Sequence, residues 1–117
     1  MPNNEENVAI IKGFLNAFNK HALDDAMAYI ANEAVLIGDR GEKINGKPAI
    51  TKYIGEFFKG FPNVSANFNR ALFATDDWGF AEWTITGVGE TEIIGGDLFG
   101  FKDGQITFVS GLTKQLA

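Results

Sequence analysis

The sequence has no cysteine and only one histidine, His21, among its 117 residues. Disulfides and thiolate chemistry are therefore excluded, and the lack of cysteine fits a reducing compartment. A structural zinc site needs several Cys or His ligands and a histidine triad needs its partners, so we expect no metal. We expect His21 to be a surface or capping residue, with proton transfer at the mouth of a pocket as the alternative.

Long apolar runs and clusters of basic residues are also missing. No run approaches the roughly 20 residues of a membrane span, and the first residues, MPNNEEN, are acidic rather than typical of a signal peptide. The formal charge is −5 and the ten Lys and Arg residues are scattered, so neither nucleic acid nor an anionic membrane is an expected partner. We expect a cytoplasmic protein. Glycine-rich nucleotide-binding signatures are absent, and we expect no cofactor.

Hydrophobic residues, in contrast, make up 45% of the chain, and 11 residues are phenylalanine. This apolar content and the length of the chain predict one domain, residues 1–117, with a substantial core.

The first half of the chain is typical of helices. Apolar residues at helical spacing predict a helix over residues 5–19, a short second helix that ends near Ala31, and a third helix in KPAITKYIGEFFKGF. We expect the third helix to bury a stripe of four residues: Ile50, Ile54, Phe57 and Phe61. The segment AVLIGDRGEKING between the second and third helices predicts a short strand and a turn.

From Asn63 onward the apolar residues alternate with period two. Four strands are predicted in VSANFNRALFAT, WGFAEWTITGVG, TEIIGGDLFGF and QITFVSGLTKQL. Helices followed by a run of strands predict an α+β domain, in which an antiparallel sheet of these four strands and one or two short ones packs three helices on one face. Glycines within the strands predict bends, and so a strongly curved sheet.

Asp97 is the residue of greatest interest, because strand alternation places it on one face with Ile93, Gly95, Phe99 and Phe101. A buried carboxylate without partners is costly, so its pKa would rise and the group would keep its proton at neutral pH. A neutral carboxylic acid in an apolar cavity is a suitable general acid. The alternatives are that Asp97 faces water or a dimer partner, or that it pairs with a basic side chain such as Arg70.

The order of the elements and four strings resemble the NTF2-like superfamily over residues 6–114, and most closely its SnoaL-like polyketide-cyclase and ketosteroid-isomerase branch. The strings are ANEAVLIGD, INGKPAITKYIGEFF, WTITG and GGDLFGFKDGQI. The resemblance implies a cone, with three helices packed into a curved sheet and a pocket between them. It also implies a homodimer formed through the sheet.

The same resemblance implies a role for Asp97, since DLFGF matches the segment whose aspartate donates to the oxyanion in the isomerase and is an acid/base in the cyclases. Two other positions depart from the isomerase. Phe14 stands where the isomerase has a tyrosine, and Gly38 stands where it has its base, with Asp39 next along the chain. Asp39 could replace that base only if the strand bulges or ends there, and the alternative is a solvated turn. Steroid isomerase activity is therefore not expected.

Other residues complete the expected site. Epoxide-hydrolase relatives have an arginine two residues before the aspartate, where this chain has Gly95, although Arg70 could reach the pocket from a neighbouring strand. Glu82 is expected outside the sheet, with a second acid in the pocket as the alternative. We expect five residues to shape the pocket: Phe14, Tyr53, Trp83, Phe99 and Phe101.

Two functions are consistent with these residues. The first is a cofactor-independent isomerase, cyclase or lyase that acts on a small apolar carbonyl compound, with Asp97 and Asp39 as catalytic candidates. The second is a non-catalytic module that binds a hydrophobic molecule or dimerises. Retention of Asp97 favours the first, and Phe14 and the displaced acid favour the second.

Overall fold

The computed structural model describes residues 4–38 and 40–114, without the side chains of residues 69–71 and 112–114. Within that part, the helices are α1 (Glu5–Asn19), α2 (Leu23–Met27) and α3 (Lys47–Gly60). The strands are β1 (Ile30–Ile37), β2 (Lys43–Asn45), β3 (Ser65–Ala74), β4 (Trp78–Thr86), β5 (Ile93–Lys102) and β6 (Gln105–Lys114). The predicted α+β class is confirmed, as are the first and third helices and the four long strands.

The strands form one sheet in the order β2-β1-β6-β5-β4-β3. Strands β3 to β6 pair with their neighbours in antiparallel fashion, as predicted. Strand β1 departs from the prediction because it pairs with β6 in parallel. No hairpin connects these two strands, so no tight turn forces them to run in opposite directions.

The sheet curves around the helices, as predicted. The register shifts between Phe68 and Leu72 where β3 pairs with β4, and between Gly100 and Phe101 where β5 pairs with β6. Such irregularities bend a strand and increase its twist. The curved sheet therefore has a concave face toward α1 and α3 and a convex face on the other side.

The predicted end of the second helix is wrong. Helix α2 ends at Met27, and the two residues expected in its last turn, Ile30 and Ala31, begin β1. Both are almost fully buried, and Ile30 pairs with Ile106 of β6. The spacing of Leu23, Met27 and Ile30 fits a helix, but pairing with a strand distant in sequence overrides that local pattern.

The predicted stripe of α3 also needs correction. The buried residues are Ile50, Ile54 and Phe58, whereas Phe57 is half-buried and Phe61 is exposed. Phe61 lies just after the helix, where its backbone N–H donates to Phe57. Its ring therefore lies beyond the face that packs on the sheet.

A side-chain clasp joins the end of α1 to the start of β3. The Asn19 amide donates to the carbonyl oxygen of Ala66 and accepts from the Ala66 N–H, at 2.6 Å in both cases. Nearby, His21 lies 2.8 Å from the Val64 carbonyl oxygen through Nε2, and its ring stacks on Phe58. These contacts fix the position at which α1 crosses the concave face.

Each helix that the structure describes is too short or too polar to span a membrane.

Replacing Asn19 with alanine should lower the free energy of unfolding by about 1–3 kcal/mol, because the Ala66 backbone groups lose their partners in a half-buried place. Urea unfolding measures this change. The matched control is Asn16→Ala, at an exposed position of the same helix, which should cost less than about 0.5 kcal/mol. An equal loss in the two variants would contradict the role of the clasp.

Candidate functional site

A cavity of about 170 Å³ lies between the concave face of the sheet and helices α1 and α3. Most residues that line it are apolar. The described lining residues are Phe14, Leu15, Phe18, Leu36, Ile37, Gly38, Tyr53, Ile54, Phe57, Ala66, Trp83, Ile85, Val88, Ile93, Asp97, Val109 and Gly111.

The space exists because the sheet carries little bulk beside Asp97. In the paired strands, Asp97 of β5 lies opposite Ala81 of β4 on one side and Gly111 of β6 on the other. Directly opposite residues point to the same face of an antiparallel sheet. Gly111 has no side chain and lines the cavity beside Asp97, whereas Ala81 has no exposed surface and belongs to the core.

Asp97 is the only charged side chain among the lining residues that the structure describes. Asp97 is half-buried. On the concave face of β5 it lies between Ile93, which is also half-buried, and Phe99, which has no exposed surface. Asp97 thus lies where the cavity meets the core. The expectation that this setting raises its pKa stays a prediction.

Three of the five residues expected to shape the pocket line the cavity: Phe14 from α1, Tyr53 from α3 and Trp83 from β4. The other two, Phe99 and Phe101, are buried in the core and are not among the described lining residues. The rings of Phe99 and Phe14 form a T-shaped contact, with 6.1 Å between ring centroids. It therefore supports the cavity wall from behind instead of forming it.

The remaining candidates have different positions. Asp39 lies outside the described residues, as does the side chain of Arg70. Glu82 alternates with Ala81 and Trp83 along β4 and so belongs to the convex face. His21 contacts Val64 and Phe58 and is not among the lining residues.

Glu42 is a polar residue near the cavity that the sequence did not single out. A methyl group added at Gly38, a lining residue, would overlap the Glu42 carboxylate and would lie 2.8 Å from the Tyr53 hydroxyl. Glu42 Oε1 accepts from the Arg40 N–H at 2.9 Å, and the Glu42 carbonyl oxygen accepts from the Gly38 N–H. The sequence GDRGE could have indicated this position, because a tight turn brings its last residue close to its first.

The described residues contain no group of three or more His, Cys, Asp or Glu side chains that could hold a metal ion. Among the described lining residues, Asp97, Tyr53 and Trp83 are those whose side chains carry a polar group.

A family model for the SnoaL-like domain matches residues 11–109. The chain belongs to the SnoaL-like family. Among curated proteins, none matches the chain in sequence. The resemblance inferred from the sequence strings is therefore confirmed at the level of the family.

Solved structures with the same fold cover nearly the whole chain. An NTF2-like protein of unknown function from Mesorhizobium loti is 20% identical, with a TM-score of 0.85 and 98% of each chain covered. A proposed SnoaL-like polyketide cyclase from Jannaschia sp. CCS1 is 15% identical, with a TM-score of 0.85 and coverage of 97% of this chain and 89% of that one. A proposed ketosteroid isomerase from Kribbella flavida is 17% identical, with a TM-score of 0.84 and coverage of 97% and 81%. At these identities the likeness shows the fold alone.

The two tryptophans allow the cavity wall to be tested without a ligand. Trp83 lines the cavity and is 4% exposed, whereas Trp78 is on the convex face and is 50% exposed. We expect iodide to quench the fluorescence of Trp83 alone, in Trp78→Phe, several-fold less than that of Trp78 alone, in Trp83→Phe. Equal quenching of the two variants would mean that Trp83 is not enclosed.

Proposed function

We propose that this SnoaL-like protein is a cofactor-independent isomerase, cyclase or lyase that acts on a small, mostly apolar carbonyl compound, with Asp97 as its acid/base. The observation that carries the proposal is the cavity itself, in which Asp97 is the one charged side chain among the described lining residues. Membership of the family supports it, as do structural neighbours described as polyketide cyclases and a ketosteroid isomerase.

The proposed chemistry is proton transfer next to a carbonyl group. The step begins from the ionised form of Asp97, which a raised pKa makes less abundant but a stronger base. Its carboxylate takes a proton from the carbon beside the carbonyl, which leaves an enolate, and the resulting carboxylic acid returns the proton to another atom of the same compound. Because the proton returns to the compound, neither an oxidant nor a cofactor is needed. Tyr53, which lines the same cavity, is the proposed hydrogen-bond donor to the enolate oxygen. Asp39, next to the lining residue Gly38, stays a proposed second acid.

Replacing Asp97 with asparagine should lower turnover by about 10²-fold or more, a usual size for the loss of an acid/base, and change ligand affinity only a few-fold. Deuterium exchange from D₂O into small ketones, followed by proton NMR, measures the transfer without knowledge of the natural substrate. The matched control is Asp24→Asn, at an exposed position of α2, which should exchange at the original rate. Equal exchange in Asp97→Asn would rule out the proposed role.

A second candidate function is non-catalytic binding of a hydrophobic molecule. Phe14 favours it, because this lining residue has no hydroxyl to share a developing charge. The two functions separate when the protein is incubated with a mixture of small carbonyl metabolites and the bound compounds are recovered. Unaltered compounds support binding alone, whereas altered compounds support the enzyme.

We further propose a homodimer formed through the convex face. This face carries five apolar side chains, which we call the convex patch: Phe73, Trp78, Phe80, Leu98 and Phe108. Three of them are exposed for a third to a half of their surface, namely Phe73, Trp78 and Leu98. Contiguous apolar surface of this kind marks interaction sites.

A cytoplasmic location is proposed as well, from the absence of cysteine.

Placing a charge in the middle of the convex patch should separate the dimer. We expect Leu98→Asp to raise the dissociation constant of the dimer by about tenfold or more in sedimentation equilibrium, because a carboxylate would be desolvated at the interface. Ala9→Asp, at an exposed position of α1, is the matched control and should leave the constant unchanged. A wild-type protein that stays monomeric at all concentrations would refute the dimer.

A further inference from the structure

We propose that the cavity selects a compound with a single ring, and that Gly111 and Phe14 set this limit. The inference rests on the proposed function of the cavity and adds the size class of its ligand. It concerns the part of the ligand that is enclosed next to Asp97, where the proposed proton transfer takes place.

The volume is the first argument. The cavity holds about 170 Å³. An engineered protein cavity of roughly 150 Å³ binds benzene, whereas pockets for drug-sized molecules range from roughly 300 to 1,000 Å³. One six-membered ring with a small substituent therefore fills the cavity, and two fused rings exceed it.

The rigidity of the walls is the second argument. Phe14, Trp83 and Val109 are buried, so they pack against core residues as well as against the cavity. The rings of Phe14 and Phe99 form a T-shaped contact, and Phe99 has no exposed surface. A side chain that is packed on its far side cannot move away from a larger ligand without disturbing the core.

The floor beside Asp97 is the third argument. Gly111 lies opposite Asp97 and lines the cavity. A bulkier side chain at this position would stand in the space that a ring needs in order to reach the Asp97 carboxylate. Gly111 and Phe14 thus limit the cavity from the sheet side and from the helix side.

The experiment measures the affinity of three methyl ketones that differ only in ring number: acetophenone, 2-acetylnaphthalene and 2-acetylphenanthrene. The reporter is Trp83, observed alone in Trp78→Phe, and Trp83→Phe shows any signal that does not come from the cavity. Each added ring adds apolar surface, so without a size limit the affinity would rise along the series. We expect the reverse, with 2-acetylnaphthalene about tenfold or more weaker than acetophenone and no saturable change with 2-acetylphenanthrene.

Two variants test the limiting residues in opposite directions. Gly111→Val should weaken acetophenone by about tenfold or more, whereas Ser110→Val, whose side chain belongs to the convex face by alternation, should not. Phe14→Leu should shift the affinity ratio toward 2-acetylnaphthalene. If Phe14→Leu fails to fold, the comparison of Gly111→Val with Ser110→Val still tests the size limit.

The possible failures are distinguishable. Affinities that stay level or rise with ring number would overturn the size limit and leave the role of Asp97, which is judged by proton exchange, unaffected. No saturable change with any of the three ketones would overturn both the size limit and the assignment of a small apolar carbonyl ligand. A loss of acetophenone binding in Ser110→Val equal to that in Gly111→Val would overturn the role given to Gly111.

Discussion

The cavity depends on the missing side chain at Gly111, which lies opposite Asp97 in β6 and lines the cavity. A protein interior has few voids larger than a water molecule unless side chains are absent. The residue opposite Asp97 on the other side, Ala81 of β4, is fully buried in the core. Helices α1 and α3 line the cavity from the other side, and the Asn19 clasp joins the end of α1 to the start of β3. The sheet and the helices thus border a cavity that is half-open to solvent, and Asp97 carries the one carboxyl group among its described lining residues.

This arrangement explains how a carboxylate is tolerated in an apolar stretch of β5. The residues that follow Asp97 on the concave face, Phe99 and Phe101, are buried in the core, while Ile93, which precedes it, is only half-buried. Burying an ionised carboxylate fully would cost several kcal/mol or more. At the boundary between cavity and core, Asp97 avoids the full cost and yet faces a mostly apolar space.

The sequence predicted those parts of the fold that depend on local pattern. Helices α1 and α3 and strands β3 to β6 follow from periodicity, because each has one buried and one exposed face. The end of α2 was missed because Ile30 pairs with Ile106, a contact that no local pattern contains. Tyr53 and Trp83 were candidates from helical spacing and strand alternation, and Phe14 from the resemblance; the different positions of Asp97 and Phe99, one in the cavity wall and one in the core, do not follow from alternation, which places both on one face. Glu42 was missed because its position follows from the closure of a turn and not from its own neighbours.

The two faces of the sheet use small residues in opposite ways. On the convex face, the ring of Phe80 lies over Gly96, and Trp78 and Phe108 lie against Gly100, so that a side chain at either glycine would meet an aromatic ring or its Cβ atom. There the missing side chain is replaced by a ring from the adjacent strand, and the face becomes apolar and continuous. On the concave face, Gly111 lies opposite Asp97 of β5 and lines the cavity. Glycines on the convex face are therefore covered by aromatic rings and belong to an apolar surface, whereas Gly111 on the concave face borders the cavity beside Asp97.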